Sequence, residues 1–218
     1  MIFESKFSTP RQLRNIVLAR LNCYSAPAPS FANSTIKTQY YDDMAGTSFL
    51  EARDGQMDKK KYRLREYILS EPGGARYSIE VKKRLNAKTM KVKRFINGLL
   101  PENCRPSTFK ELIGELERRG GIQLNEIRRE LPDTELYPSA AVYYERARFE
   151  DPRRNARYNL DTSIRVSPGL SADGVYLDFD VLEIKGPDPE LFPGFFHGLG
   201  VKRMSFSKFV WARELLSA

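Results

Sequence analysis

The sequence predicts a mainly β fold with helices, an α+β chain whose strands form an antiparallel β-barrel of about eight members. Three observations carry that expectation. From residue 35 onward apolar and polar residues alternate with a period of two, as half-buried strands require. Short turns rich in Gly, Asn or Pro separate most of these segments. The 218 residues, 41% hydrophobic and 11% aromatic, supply one substantial core with no repeat and no Pro/Gly-rich linker to divide it, so a single domain over residues 1–218 is expected.

The elements follow in order. Residues 2–7 read as a first strand. Thr9-Pro10 then reads as an N-cap with proline at the first helical position, and Leu13, Ile16, Val17 and Leu21 continue at helical spacing. Residues 25–31 are a turn-rich connection. Further strands are expected at about 35–42, 59–69, 76–85, 88–96, 141–150, 157–166 and 175–185. Their turns fall at Pro72-Gly73-Gly74, at Asn86, and between Pro168-Gly169 and Asp173-Gly174. Between residues 107 and 130 the pattern is helical, opened by Thr108 and Glu111 as a capping box and closed by Gly120-Gly121. A last helix is expected over 207–216, with Ser207 as cap.

Composition excludes several classes. No apolar run approaches the roughly 20 residues of a membrane span. The N-terminal MIFESKF lacks the apolar stretch of a secretion signal. Cys23 and Cys104 are too few for a disulfide scaffold and suit a reducing compartment, so a cytoplasmic location is expected. One histidine, His197, excludes a multi-histidine metal site. It and both cysteines are expected to be catalytically silent.

Lys and Arg total 36 against 28 Asp and Glu, a net charge of +8. Its placement matters more than its size. Lys59, Lys61, Arg63, Arg65 and Tyr67 share one face of their strand; Glu80, Lys82 and Arg84 share another, opposite Ile79 and Val81. Lys91 and Lys93 oppose Met90 and Val92, while Tyr144, Arg146, Arg148 and Glu150 alternate with Tyr143, Glu145, Ala147 and Phe149. Arg157 lies with Asn159 and Asp161, and Glu183 with Lys185. One polar stripe is usually a solvated sheet face. Repeated over successive strands about 4.8 Å apart, these stripes make one basic face, which like-charge repulsion disfavours unless a polyanion is bound. Glu4-x-Lys6, Glu80-x-Lys82 and Glu183-x-Lys185 repeat a spacing that points carboxylate and ammonium to one side, the first suited to a divalent cation and the second to a phosphate.

The ordered set ESKF (4–7), YYDD (40–43), KKYRLREY (60–67), IEVKKRLNAKTMKVKR (79–94), YYERARF (143–149), ARYNLDTSI (156–164), VLEIK (181–185) and FSKFVWA (206–212) resembles the VTC domain, the polyphosphate polymerase domain of the vacuolar transporter chaperone family, within the triphosphate tunnel metalloenzymes. The resemblance implies a closed eight-stranded antiparallel tunnel binding ATP and polyphosphate. It implies catalytic contacts from Arg63, Arg65, Lys82, Arg146 and Lys208, and phosphate contacts from Lys6, Lys91, Arg148, Arg157 and Ser207; Lys185, on the charge-bearing face of its strand, is expected to bind phosphate with them. Glu183, with Glu80, would hold Mn2+ or Mg2+. Two departures stand out: Ser205 where the family often has a basic residue, and Ile2 where hydrolytic relatives carry a glutamate.

The leading expectation is transfer of the ATP γ-phosphoryl group to a growing polyphosphate chain. A tunnel phosphohydrolase acting on tripolyphosphate or nucleoside triphosphates, and a non-catalytic polyphosphate-binding module, are the alternatives. A nucleic-acid binder using the basic face with Tyr62, Tyr77, Tyr143 and Tyr144 ranks last, since it leaves the spaced glutamates unexplained, and no nucleic-acid partner is expected. The chain has no membrane span of its own, and association with a membrane partner is left open.

Overall fold

Alternating side chains sort each long strand into one apolar and one charged face, and the architecture follows from burying the first. The computed structural model describes residues 2–69, 76–86, 88–97, 106–169 and 173–217. The strands are β1 (Phe3–Pro10), β2 (Ala26–Pro27), β3 (Asn33–Asp42), β4 (Lys59–Leu69), β5 (Arg76–Leu85), β6 (Lys88–Asn97), β7 (Tyr137–Asp151), β8 (Ala156–Ser167), β9 (Val175–Tyr176), β10 (Phe179–Gly186) and β11 (Lys202–Arg203). The helices are α1 (Arg14–Tyr24), α2 (Thr47–Arg53), α3 (Phe109–Gly120), α4 (Asn125–Arg128) and α5 (Lys208–Ser217).

The strands form an 11-stranded sheet in the order β11-β1-β10-β8-β7-β3-β4-β5-β6, with β2 on β7 and β9 on β8. The chain is thus mainly antiparallel β with helices. Three of the strands are two-residue edge pieces, and among the described residues β11 and β6 end the order rather than pairing with each other.

Two compact units share the chain. One comprises Met1–Ile36, Tyr143–Arg165 and Val175–Phe206; the other comprises Lys37–Val142, Val166–Gly174 and Ser207–Ala218. In the first, Phe7, Tyr158, Leu160, Leu182 and Ile184 bury one face of β1, β8 and β10 with Val17 and Leu21 of α1. In the second, Tyr62, Leu64, Ile79 and Val81 of β4 and β5 pack with Phe109, Leu112, Ile113 and Leu116 of α3. Residues of opposite parity on these strands, including Arg63, Glu80 and Glu183, therefore project away from the cores.

The strands over 59–69 and 76–85 coincide with expectation, as does the cap of α3: Thr108 Oγ1 accepts from Glu111 N at 3.2 Å, and Gly121 closes the helix at φ 58°. Three local expectations do not hold. Thr9-Pro10 is displaced as a helix start by one residue: Thr9 and Pro10 pair with Asp180 and Phe179 and prolong β1, Pro10 is the N-cap of a 3-10 turn over Arg11–Leu13 rather than its first residue, and α1 follows from Arg14. Ile16 faces solvent rather than the core. The single strand expected over 175–185 is two, β9 and β10. A helix the sequence pattern did not suggest, α2, follows YYDD because Asp42 and Asp43 accept the backbone N–H groups of Thr47, Ser48 and Phe49. The Pro72-Gly73-Gly74 turn and Cys104 lie outside the described residues.

Candidate functional site

In the unit holding β4, β5 and β6, strand register arranges the charged face in rows. Arg63, Glu80 and Lys93 make one row, Lys61, Lys82 and Lys91 the next, and Lys59 with Arg84 the one beyond. Glu80, fully buried, holds the first together. Its Oε2 accepts from Arg63 Nε at 2.7 Å, lies 2.5 Å from the same guanidinium's Nη2, and meets Lys91 Nζ at 2.9 Å. Its Oε1 accepts from Ser78 Oγ at 3.0 Å and meets Lys93 Nζ at 3.3 Å. Burial pushes this carboxyl upward, but Arg63, Arg65 and Lys91 outweigh it and hold Glu80 well below the usual carboxylate range. Lys91 is pushed down to about 8, by burial first and by Arg63 and Arg65 with it, against the pull of Glu80.

Arg65 is buried, donating from Nε to Thr38 Oγ1 at 3.2 Å and from Nη1 to the Tyr67 hydroxyl at 3.4 Å. Lys93 Nζ donates to the same hydroxyl at 3.1 Å. Burial alone would raise the Tyr67 phenol; Arg65 and Lys93, opposed by Glu80, bring it down to about 7. Tyr40, also buried, is likewise pushed up by burial but lowered on balance by Arg63, Arg65 and Lys208, which places Lys208 beside this cluster. Ser207 accepts from Lys61 Nζ at 2.8 Å and from Val210 N at 3.4 Å, so it joins the stripe while capping α5. Lys82 occupies the middle of the three-lysine row.

In the other unit, two rows cross β8, β10 and β1: Asn159, Glu183 and Lys6, then Arg157, Lys185 and Glu4. Glu183 Oε1 accepts from Asn159 Nδ2 at 3.0 Å and meets Lys185 Nζ at 2.8 Å. Glu4 bridges the two lysines, Oε1 to Lys6 at 3.2 Å and Oε2 to Lys185 at 3.3 Å, and Lys6 also donates to the Phe206 carbonyl at 3.0 Å. Burial pushes Glu183 upward, yet Arg146, Lys185 and Lys6 hold it well below the usual range. Lys185 is raised on balance, burial being offset by Glu183 and Glu4. Arg146 grips buried Asp161 through Nε at 2.5 Å and Nη2 at 2.7 Å.

The two remaining expected residues differ. Arg157 is exposed beside Lys185. Arg148 donates to the Phe31 carbonyl at 2.5 Å and to Ser34 Oγ at 3.4 Å, fastening the start of β3 and the residue two before it. Sequence reasoning did not assign Glu4, Lys61, Tyr67, Lys93, Asn159 or Asp161 to the site. Strand parity pointed to several of them, but only register pairs Asp161 with Arg146 and Glu4 with two lysines.

Among the described residues no group of three or more His, Cys, Asp or Glu side chains converges as a metal cage. Glu80 has five donor contacts on about four lone-pair sites, which leaves a cation no room. Glu183 Oε1 takes both Asn159 and Lys185, and Glu4 lies across the same lysine. One or two carboxylates fit Mg2+ or Mn2+ whose other ligands are phosphate oxygens and water.

The described strands thus carry a basic antiparallel sheet face with carboxylates spaced among its lysines. The family model of the VTC domain matches residues 4–217, and the chain belongs to that family. Among solved structures, a Bacillus halodurans protein provisionally named an adenylate cyclase superposes with a TM-score of 0.53 at 12% identity, covering 87% of this chain and 82% of its own. The PH1819 protein of Pyrococcus horikoshii OT3 superposes with a TM-score of 0.51 at 11% identity, covering 99% of each chain. At such identities the likeness is one of fold. No curated protein sequence gives a significant match. No helix among the described residues is long and apolar enough to cross a membrane.

Proposed function

We propose that the chain is a polyphosphate polymerase, transferring the γ-phosphoryl group of ATP to the end of a polyphosphate chain, with residues 1–218 acting as one domain and the strands closed into the tunnel that the superfamily is named for. The observation that carries this reading is the Lys61–Lys82–Lys91 row beside the Glu80-held Arg63, within a chain of the VTC family. Three ammonium groups side by side repel one another and suit a ligand with several adjacent negative charges.

The chemistry asks for no protein nucleophile. A terminal oxygen of polyphosphate attacks the γ-phosphorus, the bond from that phosphorus to the β–γ bridging oxygen breaks, and ADP leaves with the electron pair. Arg63 and Arg65 offer forked N–H donors to the equatorial oxygens, and Lys82, Lys91 and Lys208 supply point charges. Fixing Arg63 on Glu80 holds the guanidinium in place before substrate arrives. Lys6, Arg146, Arg157 and Lys185 supply the positive face of the other unit. Glu183, with Glu4, would hold a divalent cation, which supplies charge neutralisation of the phosphates when bound.

Incubation of the pure protein with ATP and Mn2+ tests the reading. Long-chain polyphosphate with ADP is the expected product. Free phosphate without chain growth would replace it with the hydrolase, and polyphosphate binding without turnover would replace it with the binding module.

A further inference from the structure

Arg65 on β4 and Lys93 on β6 converge on one atom, the hydroxyl oxygen of Tyr67, at 3.4 and 3.1 Å. Both cations also stand over the phenol ring, Arg65 Cζ at 5.8 Å from its centroid and Lys93 Nζ at 5.0 Å. Neither can accept a hydrogen bond, so the hydroxyl proton serves no purpose in either contact. Tyr67 is buried, which keeps water from weakening this grip. Lys93 also meets Glu80, which holds Arg63. Tyr67 therefore links Arg65 through Lys93 and Glu80 to Arg63, joining the two guanidiniums of the proposed reaction. The charged groups facing the phenol are Arg65 on its own strand, Glu80 and the opposed Arg76 on β5, and Lys93 on β6. β3 contributes Thr38, a neutral side chain that accepts from Arg65. Three cations against one carboxylate favour a negative oxygen at this point.

We propose that Tyr67 is a positioning residue that works as a built-in anion: its phenolate oxygen holds Arg65 and Lys93 together until a phosphate chain takes them over, and it then picks up one proton. The step makes and breaks no substrate bond; solvent supplies the proton and the O–H bond forms on Tyr67. An anion arriving at Arg65 and Lys93 repels the phenolate and draws its two cations away, and both effects favour the protonated form. Burial raises this phenol, but Arg65 and Lys93, opposed by Glu80, bring it to about 7, which places the exchange at neutral pH. By linkage, phosphoanion binding weakens as pH rises above that value, because the proton is then drawn from a scarcer pool. Lys91, at about 8, also gains a proton more readily beside an anion, so proton uptake alone does not identify the group. Tyr40 is a second lowered phenol, so the test separates all three.

This inference rests on the polyphosphate reading, and one titration series separates the two. Wild type, Tyr67→Phe and Tyr40→Phe are titrated with inorganic tripolyphosphate at pH 6 and pH 8. Tyrosinate absorbance is followed to saturation, and proton uptake is read in buffers of different ionisation heat. At pH 8 saturation should remove the absorbance of about one tyrosinate from wild type and from Tyr40→Phe, and none from Tyr67→Phe. Between the two pH values wild-type affinity should fall about tenfold more than that of Tyr67→Phe, the equivalent of one proton. Tyr67→Phe keeps the ring under both cations, so its melting temperature should stay close to that of wild type; if it does not, Tyr40→Phe carries the comparison, and absence of its absorbance loss overturns the proposal. No absorbance loss in wild type, or an equal loss in Tyr67→Phe, also overturns it. Failure of wild type to bind tripolyphosphate overturns the polyphosphate reading itself.

Discussion

Arg146 reaches across the β7–β8 hairpin and closes two parallel hydrogen bonds on Asp161, at 2.5 and 2.7 Å, where the carboxylate is fully buried. This forked pair fixes a guanidinium that the sequence assigned to substrate. Two of its nitrogens are spent on Asp161. Breaking one partner of a buried pair strands the other, so Asp161→Asn should lower unfolding stability by about 3–5 kcal/mol. Urea denaturation checks this, and a loss under about 1 kcal/mol would show that the pair does not hold the hairpin.

Glu80 is expected to act through its cations rather than through a metal. Glu80→Gln leaves Arg63, Lys91 and Lys93 facing one another without their shared carboxylate. Turnover should fall and the protein should melt earlier, while the Mn2+ concentration giving half-maximal rate stays as in wild type. A shift of that concentration by tenfold or more would return Glu80 to the metal.

Glu183 should behave in the opposite way. Glu183→Gln is expected to cut the Mn2+-dependent rate by about two orders of magnitude or more. Polyphosphate affinity without metal should hold or tighten, since one negative charge leaves a basic surface. Unchanged turnover would remove Glu183 from the reaction.

Tyr67 gives the protein a titration near neutrality. Its phenol, at about 7 in the fold, is depressed from an ordinary value of 10.0, so between these values the native state binds fewer protons than the unfolded chain. Stability from this group is therefore fully present above pH 10, declines as pH falls and is gone below about 7. Lys91, lowered to about 8 from 10.5, acts with the same sign, adding stability as pH rises between those values. Tyrosinate absorbance should show a step near pH 7 that Tyr67→Phe abolishes. A wild-type curve flat to pH 9 would mean that Arg65 and Lys93 do not hold the phenolate.

The sequence by itself determined which side of each strand carries the charge. Arg63, Arg65, Lys82, Lys91, Glu183 and Lys185 fall opposite the core because a strand's side chains alternate and the intervening residues are apolar, a relation contained within each ten-residue stretch. The caps at Thr108 and Ser207 were legible for the same reason, each being a bond within one turn. Tertiary structure alone decided the partners. Glu80 serves Arg63, Lys91 and Lys93 because three strands align at one register, and Arg148 goes to Phe31, a residue 117 positions away. Thr9-Pro10 has a good local helix-start signal, and the pairing of β1 with β10 moves the start on to Arg11. Periodicity is a property of neighbouring residues, whereas register is fixed by turns, cores and distant strands acting together, so a face can be read from the chain and an ion pair cannot.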